Sequence, residues 1–137
     1  MPVLNMQEKR KILLLFNHQF TIGQEEDARR SLGVKTILAL PDHLKKLWSQ
    51  IPPEKESIEA FLMPIKDWTQ RKASNRDYVL IQGDFGATYL MVNFAFEQGL
   101  LPVYATAVRK ASEKIQSDGS VKMEHVFNFC RFRKYGL

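Results

Sequence analysis

Apolar residues in this chain gather into short runs, separated by longer stretches in which they recur at helical spacing. Lys11 to Phe16 (KILLLF) is nearly continuous, as a strand buried on both faces of a parallel sheet should be. Thr21 followed three residues later by Gln24 fits a capping box. The acidic cluster Glu25, Glu26 and Asp27 suits the positive end of a helix, and Gly33 supplies a stop, so a helix is expected from about Ile22 to Leu32. Val34 to Leu40 (VKTILAL) is rich in strand formers and ends at Pro41. A helix holding Leu44, Leu47 and Trp48 follows, closed by Pro52 and Pro53. From about Ser57, the positions Ile58, Phe61, Leu62, Ile65 and Trp68 recur at three and four, one buried helix face, and Pro64 inside that pattern predicts a kink or a break.

Tyr78 to Gln82 (YVLIQ) is a third strand, followed at once by GDFGAT (Gly83 to Thr88) and by a helical run from Tyr89 to Glu97 that Gly99 closes. Leu101 to Ala105 (LPVYA) makes a fourth strand. Strands alternating with helices call for a mainly parallel sheet with right-handed crossovers. Asp118-Gly119 then signals a hairpin between Arg109 to Gln116 and Val121 to Arg133. Ala111, Glu113 and Lys114 are good helix formers and leave a helical first arm open. The expectation is one α/β Rossmann-like domain over residues 1–137, with flanking helices and a C-terminal β-hairpin, and with residues 1–10 as a candidate flexible lead.

Composition narrows the class. At 137 residues and 15.9 kDa, with 45% apolar and 26% charged residues, the chain has the makeup of an ordinary soluble domain large enough for one core. No stretch approaches the roughly 18 consecutive apolar residues of a membrane span, and Ile12 to Phe16 is too brief for a secretion signal, so no membrane and a cytoplasmic location are expected. A single cysteine, Cys130, forms no internal bridge and is expected as a small apolar side chain. No Cys/His cluster has zinc spacing, so neither a metal nor a cofactor is expected. The net charge of +5 favours polyanionic partners without deciding for one.

Ligands of open α/β sheets sit beyond the carboxyl ends of the strands. That singles out Asn17 and His18 after the first strand, then Gln82 with Gly83, Asp84, Phe85, Gly86, Ala87 and Thr88 after the third, and Thr106 to Arg109 after the fourth. Gly83 and Gly86 would let backbone N–H groups approach an anion, a helix beginning near Ala87 would add its positive end, and Thr88 a hydroxyl. GDFGAT is neither the dinucleotide fingerprint nor the phosphate loop, and a tight strand-to-helix turn explains it equally. His18 has the chemistry of a general acid or base, and the competing reading is an exposed loop residue. His43 and His125 are weaker candidates. In the tail NFCRFRKY, Arg131, Arg133 and Lys134 alternate with aromatics. That mix suits stacking and phosphate neutralisation, but period-two alternation with Phe127, Phe129 and Phe132 facing the core accounts for it as well.

KILLLFNH, ARRSLGV, LPDHLKKLWSQIPPE, YVLIQGDFGATYLMVNFAFEQGLLPVYATAVRK and the closing DGSVK and CRFRKY together resemble the small stand-alone CARF-like ancillary proteins of type III CRISPR loci. The resemblance spans Lys11 to Tyr135, and QGDFGATY with RFRKY carries most of it. It implies a CARF-like Rossmann fold, a homodimer, and a cyclic oligoadenylate ligand, most readily cyclic tetra-adenylate. It further implies ring-nuclease cleavage by metal-independent attack of a 2′-hydroxyl on its own phosphodiester, which ends the CRISPR signal. On that reading GDFGAT faces the phosphate, Asn17 and His18 form the other wall, and His18, Arg109 and Arg133 are the catalytic candidates. The apolar residues Val92, Phe94 and Phe96 exceed what one helix face hides and point to a dimer interface on that helix. A protein that sequesters the ring without cutting it, or a basic module binding RNA, are the alternatives. Stable duplex nucleic acid is not an expected partner.

Overall fold

The computed structural model describes residues 10–137. The expected flexible lead therefore falls, apart from Arg10, outside them. The elements run β1 (Lys11–Leu15), α1 (Ile22–Ser31), β2 (Thr36–Ala39), α2 (Asp42–Ser49), α3 (Met63–Lys72), β3 (Tyr78–Ile81), α4 (Phe85–Glu97), β4 (Leu101–Ile115) and β5 (Val121–Lys134). They build one five-stranded sheet of order β2-β1-β3-β4-β5, in which the first four strands are parallel and β5 runs antiparallel to β4. The single Rossmann-like α/β domain with a C-terminal hairpin is the architecture the pattern called for.

Both faces of the sheet are covered, which explains the unbroken apolar strands. Leu13, Leu15, Val79 and Ile81 face α2, α3 and α4 and join Trp48, Ile65 and Met91 in one core. Ile12, Leu14, Leu80 and Val103 face α1 and meet Ala28 and Phe132 in the other. The capping box forms as expected: Gln24 N–H donates to Thr21 Oγ1 at 3.1 Å, and Thr21 N–H donates to Gln24 Oε1 at 2.9 Å. Pro64 breaks the helical pattern by standing in the first turn of α3, so that residues 59–62 form turns instead of helix. At the opposite end of the sheet from the strand C-termini, the buried Asp77 carboxylate accepts from Lys11 N–H at 3.0 Å and Ser74 N–H at 2.7 Å and pairs with Lys11 Nζ at 3.0 Å.

The hairpin is longer than expected and its first arm is a strand. The segments Leu101–Ala105 and Arg109–Gln116, read separately, belong to one strand, β4, which with β5 continues far beyond the rest of the sheet. Gly119, at φ +84°, makes the turn together with Asp118, whose carboxylate is held below its usual range by hydrogen bonds from Ser120. Thr106 pairs with Arg131 but Ala107 pairs with Phe129, so Cys130 is the extra residue of a β-bulge. Cys130 is exposed there and plays no part in a core.

Candidate functional site at the strand C-termini

The chain leaves β1 through α1 for β2 on one side and reaches β3 on the other through α2 and α3. The carboxyl ends of β1 and β3 therefore flank the switch point of the sheet, the usual ligand crevice of such folds. Asn17 and His18 follow β1 there, and Gln82 and Gly83 follow β3.

The start of α4 differs from the expected glycine turn. The helix begins at Phe85, because Asp84 caps it: its carboxylate accepts from Ala87 N–H at 3.0 Å, and Thr88 N–H already donates to the Asp84 carbonyl at 2.8 Å. Of the amides expected to cradle an anion, those of Ala87 and Thr88 are thus taken, and those of Phe85 and Gly86 stay outside the helix ladder. The Asp84 carboxylate itself occupies the helix end and would repel a phosphate. Gly83 serves the fold, since a Cβ there would meet the Trp48 indole nitrogen at 2.8 Å, and Ala87 is a core residue. Gln82 ties strands together: its Oε1 accepts from Ala105 N–H at 2.6 Å and its carbonyl from Trp48 Nε1–H at 3.0 Å.

What remains for a ligand lies on either side of that first helical turn. A cavity of about 310 Å³ is lined by Gln82, Gly83, Phe85, Thr88, Tyr104 and Tyr135. A larger one of about 470 Å³ opens between the 51–59 loop and Asp84, Gly86 and Tyr89. Phe85 stands between them with 95% of its surface exposed. Among the described residues Thr88 Oγ1 and Asn17 Oδ1 are buried without a hydrogen-bond partner, an arrangement that costs roughly 1–3 kcal/mol per group.

The cation of the smaller cavity comes from β5. Arg133 Nη1 donates to the Tyr104 hydroxyl at 2.9 Å, with its guanidinium 5.3 Å from the Tyr104 ring centroid. The Tyr104 and Tyr135 rings lie 4.7 Å apart, and Tyr135 Oη–H donates to the Ile81 carbonyl at 2.6 Å. Burial, and then the neighbouring Tyr104, push the Tyr135 phenol above its ordinary range. Arg133 therefore stands beside the Tyr104 wall of the smaller cavity.

His18 is exposed at the crevice mouth, edge-on to Phe16 at 5.4 Å, with no side-chain hydrogen bond among the described residues. Arg109 is not brought to the site. It lies on the projecting part of β4, about 16 Å along the strand from Tyr104, over the ring of Phe127. His43 starts α2 and His125 sits in β5. Sequence reasoning missed Tyr104 and Tyr135. The first stands in the C-terminal part of a predicted strand and the second in the RFRKY ending, so position was the available signal. Among the described residues no three His, Cys, Asp or Glu side chains are grouped to hold a metal ion, and no helix is long and apolar enough to cross a membrane.

Residues 10–133 match the family described as the uncharacterized protein MJ1673 family. The chain belongs to this family. A relative from Methanocaldococcus jannaschii, itself described as uncharacterized protein MJ1673, is 49% identical over 125 residues, which cover 91% of this chain and 96% of the relative. No solved structure matches the chain significantly. The matched span includes Asn17, Thr88, Tyr104 and Arg133 and ends just before Tyr135.

Proposed function

We propose that this member of the family binds a cyclic oligoadenylate, cyclic tetra-adenylate being the first candidate, in the switch-point crevice as a homodimer, and opens the ring. The carrying observation is the pair of unpartnered buried oxygens, Asn17 Oδ1 and Thr88 Oγ1, that border a crevice holding an arginine and exposed aromatic surface. A ribonucleotide supplies hydroxyl and amine donors for such acceptors, a phosphodiester for Arg133, and a flat base for Phe85 and Tyr89. The resemblance of QGDFGATY and RFRKY to CARF-like proteins supports the same ligand. The product would serve to end a type III CRISPR signal in the cytoplasm.

The reaction is internal to the ligand. A ribose 2′-oxygen attacks the adjacent phosphorus, the bond from phosphorus to the 5′-oxygen breaks, and a 2′,3′-cyclic phosphate and a 5′-hydroxyl result. In this reading His18 at the mouth takes the 2′ proton or returns one to the leaving oxygen, and Arg133 neutralises the crowded phosphate. Alignment of attacking and leaving oxygens in line supplies most of the acceleration. Among the described residues no carboxylate orients His18, which favours a second reading, a protein that holds the ring without cutting it.

Incubation of the purified protein with cyclic tetra-adenylate in EDTA, followed by chromatography of the products, separates these. Linear products ending in a cyclic phosphate are expected. Tight binding with an intact ring would leave the sequestering protein. An absence of binding, or binding of linear RNA instead, would sink the oligoadenylate reading altogether.

A further inference from the structure

Beyond the bulge the β4–β5 ribbon leaves the sheet, and from Ala107 to Ile115 it extends about 30 Å with both faces in solvent. An isolated two-stranded ribbon is marginally stable in water, so its persistence calls for a covering surface. The register sorts its side chains. One face carries Ile115 (76% exposed), Val121 (57%), Met123 (53%) and Phe127 (66%), with Arg109, Glu113 and His125 between them. Arg109 packs over Phe127 on this face. The opposite face carries Lys110, Lys114, Lys122 and Glu124, with the smaller Val108 and Val126 (each 47% exposed) towards its base, and its Lys114–Glu124 contact is 3.9 Å.

The apolar face is a continuation of the core under α1. Phe20 stacks on Phe132, Phe132 lies 4.9 Å from Phe129, and Phe127 follows on the same side, where α1 no longer reaches. The bulge at Cys130 makes this possible, because residues 132 and 129 would otherwise point to opposite sides.

We infer that this face of the arm docks against the same face of a second copy of the chain. Charge selects the occupant. The face bears one fixed cation and one fixed anion, Arg109 and Glu113, two positions either side of the small Ala111. A two-fold axis crossing the strands at Ala111 lays Arg109 of each protomer opposite Glu113 of the partner subunit, with Phe127, Met123 and Ile115 closing around them. The lysine-rich face repels its own copy and stays in water. The contact is therefore isologous, as a homodimer requires, and it is small for a permanent one, so the dimer should dissociate on dilution.

The inference rests on the two-copy part of the proposed function and not on its ligand, so it is tested without ligand. Sedimentation of the full chain across the micromolar range should show a reversible dimer. Phe127→Asp and Arg109→Glu should each weaken it at least about tenfold. Adding Glu113→Arg to Arg109→Glu should recover most of the loss, whereas Lys110→Glu on the lysine face should leave the dimer unchanged. Circular dichroism checks that each variant is folded. A wild-type monomer throughout, a Phe127→Asp dimer as tight as wild type, or no recovery in the charge exchange would each overturn the arm-to-arm contact, whatever the chromatography of oligoadenylate shows.

Discussion

Trp48 and Gly83 share one volume: the indole Nε1–H donates to the Gln82 carbonyl at 3.0 Å, and its ring fills the space in which a Cβ on Gly83 would stand at 2.8 Å. The first glycine of GDFGAT is thus required by the packing of α2 onto the end of β3. Gly83→Ala must push a buried tryptophan and is expected to destabilise the protein by about 1–3 kcal/mol, read as a lower urea midpoint with unchanged slope. An unchanged midpoint would show that Trp48 moves freely and that the packing of α2 does not require a glycine at position 83.

The second glycine behaves oppositely. A Cβ on Gly86 meets Asp84 Oδ2 at 3.5 Å and Ile58 Cδ1 at 3.7 Å, ordinary contacts, and no unusual dihedral demands glycine there. Gly86→Ala should fold and gain up to about 1 kcal/mol of stability from helix propensity. Because Gly86 borders the larger cavity, the same variant should bind cyclic tetra-adenylate at least about tenfold more weakly by calorimetry. Full affinity in a stabilised variant would exclude that cavity from the site.

Thr88 gives the sharper test of the crevice. Its hydroxyl is buried without a partner, so the near-isosteric Thr88→Val should leave thermal stability unchanged or raised. Affinity for the ring should fall. A drop in stability of more than about 1 kcal/mol would mean that the hydroxyl is already satisfied in the free protein.

Tyr135 predicts an alkaline limit. Its phenol is held neutral by burial and donates to the Ile81 carbonyl, so the folded state binds this proton more tightly than the unfolded chain does. The resulting stability is present below the ordinary tyrosine pKa of about 10 and is lost as pH rises through the higher folded value. Tyr135→Phe should cost roughly 1 kcal/mol at neutral pH and should flatten the fall in stability above about pH 10. An equal fall in both proteins would assign it to other groups.

Local patterns announced most of the fold. KILLLF and YVLIQ are apolar on both faces because helices cover both, and the Thr21–Gln24 box acts within one turn of chain. The site was harder to read, because its geometry depends on partners far away in sequence. Nothing near Asp84 says that its carboxylate will cap a helix beginning at Phe85 and displace an anion from the turn. Nothing near Gly83 names Trp48. Of the residues expected at a dimer interface on α4, Val92 and Phe94 are half-buried against the α2–α4 core, Phe94 beneath Lys66, while Phe96 keeps half its surface exposed, and further apolar surface stands on the β4–β5 arm. Of the tail aromatics expected to face the core, Phe132 is buried and Phe129, past the bulge, still packs on that core, while Phe127 is out in solvent.

The bulge at Cys130 works as a phase shifter between the body of the sheet and the arm. Were β5 to run as a regular strand through Cys130, it would turn over relative to its base and send Phe127 and Phe129 to the lysine side, whereas with that residue absent Phe129 would still face Ala107 and the two sides would keep their places. The greasy and charged sides of the ribbon are therefore encoded by a count rather than by the identity of any side chain. Drift in the residue at position 130 is cheap for this architecture, whereas one further residue inserted there, which a one-residue bulge does not absorb, would reverse which way the arm faces.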